Sequence, residues 1–274
     1  MSATVDDRNP TVIVVPYWLT YPGTRVDLPD HKIAHDISSL LSVIESNLTG
    51  AAISLGAYIE GRKVPRRLGR SREAWQQDVD ARRVYEQLVR AEWGVGEFDF
   101  ARHDEIRAEV DRRRLKDAFA ANVVPDGYIH QLPFVHAKGF LTAVHTIRQA
   151  LIQCAKITAI QTQADAARGA IDIALPKLKG VRDSEAHVDE RVQGMARRKQ
   201  IQLQPVQNRM VNAPSGGVLI VGSLIGDNFG NTMEDGNYGE VPVTIETFNL
   251  IVRVIQELLD RLPWHGGPRV IPSL

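Results

Sequence analysis

Apolar residues recur at threes and fours over most of the chain, the spacing of helices that bury one face. Ile33, Ile37, Leu40, Leu41 and Ile44 lie on one face of a first helix, which Asp30 can cap and which runs to about residue 46. Residues 51–60 are apolar without a clear period and fit a strand or a helix. Trp75, Val79, Val84 and Leu88 place a helix over 71–93, with Ser71 as its cap. A more polar helix follows over 102–121. Phe140, Val144, Ile147, Leu151 and Cys154 mark a long helix whose first turn holds Pro133, where a missing N–H costs nothing. A shorter helix covers 164–175 and Pro176 ends it. Phe248, Ile251, Ile255, Leu258 and Leu259 point inward from a closing helix over 246–262, stopped by Pro263.

Strand signals are fewer. TVIVV at 11–15 reads as a short buried strand. Residues 217–225 and 238–245 read as the arms of a hairpin, and the Gly, Asn and Asp residues between them as its long loop. The pattern therefore predicts a mainly α protein, a helical bundle with a β-hairpin inserted before the last helix and a short N-terminal strand. The glycine break at 94–96 divides it into an α-rich region over 1–96, of unknown role, and a bundle over 97–274. The tail after Pro263 is expected to pack back or to mediate assembly.

One stretch carries candidate chemistry. Residues 180–198 read GVRDSEAHVDERVQGMARR. Val181, Val188, Val192 and Met195 follow one another at seven, four and three, which predicts one amphipathic helix packed on the bundle. Asp183 and His187 are four apart, so their side chains are neighbours on a helix. Arg182 lies on the other flank of the apolar stripe. A site using both Arg182 and His187 needs a groove at the helix start or a second copy of the helix opposite. The plain alternative is a charged surface helix, with Asp183 a first-turn acid that favours the dipole.

The order Arg182, polar Asp183, three more residues, then His187 resembles the signature of HEPN domains. These are small helical bundles found in bacterial toxins, CRISPR effectors and anti-phage proteins. The resemblance covers residues 133–198, with 247–262 as a last helix; the inserted hairpin is not part of a minimal HEPN bundle. It implies a metal-independent endoribonuclease, without a cofactor, working as a homodimer that faces two motifs across a cleft. His187 would move the proton of the attacking RNA 2′-hydroxyl, a role for which the ordinary histidine pKa of about 6.5 is suited. Arg182 would stabilise the phosphoryl oxygens, and Asp183 would orient His187. A toxin or defence effector would also have an antitoxin or defence-system partner protein.

Composition changes this picture little. The chain has 274 residues, 33 basic and 33 acidic, so no general affinity for nucleic acid follows from net charge. The densest basic loop lies at 61–72, where Arg62, Lys63, Arg66 and Arg67 are candidates for RNA phosphates. His31 and His35 stand four apart and suit a metal from one face, but no third ligand is evident. His136 and His145 read as packing histidines with satisfied nitrogens. The single cysteine, Cys154, excludes an intrachain disulfide. No leader pattern begins the chain, and no apolar run reaches the about 20 residues of a membrane helix. The expectation is a cytoplasmic protein with no membrane partner. Its rivals to the nuclease are a non-catalytic helical module for dimerisation or partner binding, and a metalloprotein built on His31 and His35.

Overall fold

The helical periods of the sequence become eight α-helices among the described residues. A computed structural model describes residues 14–63, 72–97, 99 and 101–273. In chain order the elements are β1 (Leu19–Tyr21), β2 (Arg25–Val26), α1 (His31–Lys63), α2 (Arg72–Trp93), α3 (His103–Ala120) and α4 (Asp126–Cys154). A 3-10 turn, Thr158–Ile160, leads into α5 (Gln161–Ala174), α6 (Leu178–Ala186) and α7 (Val188–Val192). Then come β3 (Met195–Ala196), β4 (Lys199–Gln200), β5 (Val206–Gln207), β6 (Asn212–Ala213), β7 (Ser223–Ile225), β8 (Asn228–Thr232) and β9 (Tyr238–Pro242). Helix α8 (Ile245–Asp260) and strands β10 (Trp264–His265) and β11 (Arg269–Ile271) complete the chain.

The chain divides into two compact units, one formed by residues 1–60 and 133–274, the other by residues 61–132. A boundary at residue 96 would fall inside the second unit. In the first unit, α1, α4, α5, α6 and α8 supply one continuous core that includes Leu48, Leu55, Phe140, Ile147, Ile171 and Phe248. Thr244 caps α8 by accepting from the Thr247 N–H at 3.2 Å. The two ends of the unit pair with each other: β1 runs antiparallel to β11 and β2 to β10. The tail thus packs back onto the start of the described chain. Gly23 is needed there, because a Cβ would stand 2.7 Å from the His265 carbonyl oxygen.

In the second unit, α2 and α3 pack through Val89, Ile106 and Val110, with Tyr85, Trp93 and Val95 around them. So small an apolar core is supplemented by ion pairs between the two helices, such as Arg82–Asp111 at 2.9 Å and Arg113–Glu92 at 2.6 Å.

Five expectations change. Helix α1 does not stop near residue 46; it continues through the ambiguous run 51–60, where Ala51, Ala52, Leu55 and Tyr58 are buried. By length and composition alone α1 could cross a membrane, contrary to the expectation that no segment would; here its apolar residues line the core. Helix α4 begins at Asp126, so Pro133 lies inside it, buried, instead of opening it. The residues 226–237 are not a plain loop: they contain β8, the centre of a three-stranded antiparallel meander in the order β7-β8-β9. Of the expected strand at 11–15, residues 11–13 lie outside the described residues, and Val14 and Val15 are not in a strand.

Candidate functional site

Helix α6 carries Arg182 and Asp183, and the meander holds α6 in place. Gly180 and Gly239 leave room for the Met233 side chain between them, since a Cβ on either would stand under 3.0 Å from its sulfur. Asn231 in β8 is 1% exposed. Its Nδ2 donates to the Val181 carbonyl at 3.1 Å, and its Oδ1 accepts from the Gly222 N–H. Both ends of a buried amide are thereby satisfied. The turn of helix that presents Arg182 is pinned from within the core.

The single helix expected over 180–198 is broken. Helix α6 ends at Ala186, His187 takes φ −116° and ψ 40°, and α7 starts at Val188. Gly194, at φ +70°, then turns the chain into the β3–β4 hairpin. The expected apolar stripe does not persist across the break. Val181 is buried, whereas Val188 and Val192 are exposed. In their place the core side of α7 receives Arg191, whose guanidinium donates to Ser184 Oγ and, because the chain doubles back, to the Met195 carbonyl.

Arg182 and Asp183 are partly exposed, with Arg182 Nη1 4.0 Å from Asp183 Oδ1. That is the one carboxylate within 4.0 Å of this guanidinium among the described residues. His187 is exposed at the break, and its backbone N–H donates to the Asp183 carbonyl at 3.1 Å. Among the described residues, no hydrogen bond or ion pair joins the His187 ring to Arg182 or Asp183. Arg62 and Lys63 sit in the last turn of α1, where positive charge suits the helix dipole. Arg66 and Arg67 lie outside the described residues. His31 and His35 are exposed on α1, and no group of three or more His, Cys, Asp or Glu able to hold a metal occurs among the described residues.

The fold adds a residue that periodicity assigned to packing. His145 in α4 is 7% exposed; its Nε2 meets Gln149 Nε2 at 3.1 Å, while its Nδ1 is buried with no partner. The packing is as expected, the satisfaction is not. Lys138 bridges α4 to Glu185 of α6 at 2.6 Å. His145, two turns further along α4, is then set against the charges of α6. Burial lowers its pKa first, and the Arg182 charge lowers it further, with Arg148 and Lys179 adding to this and Asp183 opposing it. A histidine whose folded pKa lies below the unfolded value of about 6.5 contributes its stability above that pH and loses it on acidification. Replacing His145 by Gln should therefore flatten the loss of urea stability between about pH 7.5 and about pH 5. A variant with the full wild-type acid limb would place that titration elsewhere.

No family model, curated protein or solved structure matches this chain.

Proposed function

We propose that the chain is a HEPN-like, metal-independent endoribonuclease, a cytoplasmic homodimer of the toxin or anti-phage type, controlled by an antitoxin or defence-system partner. The observation that carries this reading is the pairing of types at one break. Among the described residues the Arg182 guanidinium has only Asp183, at 4.0 Å, to neutralise it, and an exposed histidine follows five residues later. A partly buried arginine without a close counter-ion is ready for an external anion, and its planar fork matches a phosphodiester.

The chemistry follows from those groups. His187 takes the proton of a 2′-hydroxyl, the oxygen attacks the neighbouring phosphorus, and the 5′-oxygen of the next nucleotide leaves. Arg182 donates to the non-bridging oxygens as charge builds on them. The departing oxygen needs a proton, which the His187 of a second copy can donate across the dimer cleft. Every step uses side chains of this chain alone.

A second reading rests on a different observation. Val188 and Val192, 40% and 60% exposed, open and close the helix that follows the same break, as expected of a non-catalytic surface for dimerisation or partner binding. Cleavage of total cellular RNA in excess EDTA separates the two. The wild type should yield fragments and His187→Ala should not. Equal cleavage by both proteins would remove His187 from the chemistry, and intact RNA with both would favour the interaction module.

A further inference from the structure

The break at His187 is spanned by one buried side chain. Arg191 is 3% exposed. Its Nε donates to Ser184 Oγ at 3.2 Å and its Nη1 to the Met195 carbonyl at 2.8 Å. Ser184, itself 1% exposed, belongs to α6, Arg191 to α7 and Met195 to β3. The guanidinium therefore joins the two helices on either side of His187 to the hairpin that follows. The nearest carboxylate, Glu190, stands 3.9 Å from Nη1 and spends its Oε2 on the Arg197 N–H at 2.9 Å. Arg197, at φ +47°, and Arg198, at φ +64°, are the two left-handed residues of the hairpin turn, so Glu190 steadies a turn without glycine.

A buried guanidinium is an expensive way to fill space. Apolar residues of similar volume often serve stability as well or better. What the arginine adds is direction, because its rigid fork reaches two acceptors that lie on different elements. Without it, α6 and α7 would be linked across His187 by two backbone hydrogen bonds, His187 N–H to the Asp183 carbonyl and Arg191 N–H to the His187 carbonyl, each 3.1 Å. Those bonds alone leave the backbone dihedrals of His187 freer to rotate.

We infer that Arg191, acting through Ser184 and the Met195 carbonyl, is the positioning residue that holds the break open and presents the His187 imidazole outward from the end of the helix that carries Arg182. The functional part of this inference rests on the nuclease reading, but the placement of the ring is measurable without it.

The experiment uses the full chain with Arg191→Lys, which keeps the charge and loses the fork. Ser184→Ala removes one acceptor and is the second variant should the first not fold. Histidine Cε1–Hε1 nuclear magnetic resonance signals are recorded, with His187→Ala assigning the His187 signal, alongside thermal unfolding and RNA cleavage in excess EDTA. The expected result is cooperative unfolding, a moved or broadened His187 signal with the other histidines in place, and cleavage about 10- to 100-fold slower. An unmoved His187 signal in a folded variant overturns the inference, whatever happens to cleavage. Failure of both variants to fold also overturns it, making Arg191 a structural pin only. A wild type that cleaves no RNA defeats the nuclease reading alone, and the His187 signal still decides the clamp.

Discussion

Arg182→Ala is expected to slow RNA cleavage about 100- to 1,000-fold, the cost of removing a preorganised donor from developing negative charge. Its effect on stability should be small. Arg182 is partly exposed, its one ion-pair neighbour is at 4.0 Å, and the helix beneath it is held by Asn231 through the Val181 carbonyl and not by the guanidinium. Surface substitutions of that kind stay within about 0.5 kcal/mol. Arg182→Lys keeps the charge but offers a single point instead of a fork, so it should recover only part of the rate. Initial rates on one labelled RNA, beside melting curves of all three proteins, check both halves of the expectation. An unchanged rate would take Arg182 out of the site. A lost rate with an equally large loss of melting temperature would make it a structural residue.

Phe248→Ala should cost about 3–5 kcal/mol of stability, the usual price of emptying an aromatic site in a packed core. The ring is fully buried on α8 and meets Tyr17 edge-on, with centroids 5.4 Å apart and planes at 88°. Tyr17 is itself tied to α1 by a hydrogen bond between its hydroxyl and that of Thr49 at 2.8 Å. The cavity would therefore open between the closing helix and the start of the described chain, where little can relax into it. For a chain of this size the melting temperature should fall by about 10 °C. Urea unfolding monitored by circular dichroism gives the number. A loss below about 1 kcal/mol would mean that α8 is not seated in the core as described.

The amphipathic helices were legible because their signal is local. The stripe Phe248, Ile251, Ile255, Leu258 and Leu259 marks α8 to within a residue or two, α2 lies as close to the limits its apolar spacing predicts, and the expected helices over 102–121 and 164–175 are found as α3 and α5. Pro133 misled because a proline inside a helix removes one hydrogen bond but not the helix, and the buried apolar residues of α4 that follow it, from Ala137 to Cys154, seat the helix in the core. Strand β8 was hidden for a related reason. Its residues NFGNT have the composition of a loop, and they form a strand because Phe229 pairs with Val241 and Leu224 while the Asn231 amide reaches α6.

The same division runs through the site. The sequence by itself determined the order Arg182, Asp183, His187, the helical character of α6 and the balance of charge, all carried by neighbours in the chain. Only the tertiary structure decided that the helix breaks at His187, since the break depends on Arg191 reaching Ser184 and a carbonyl beyond the next turn. It alone brought His145 from α4 beneath the charges of α6, paired the two ends of the chain through β1 with β11, and turned Asn231 into a support for Arg182. Each of these last three is a contact between residues far apart in sequence. Such a contact leaves no period in the chain, because it is set by which buried polar groups find partners once the helices have packed.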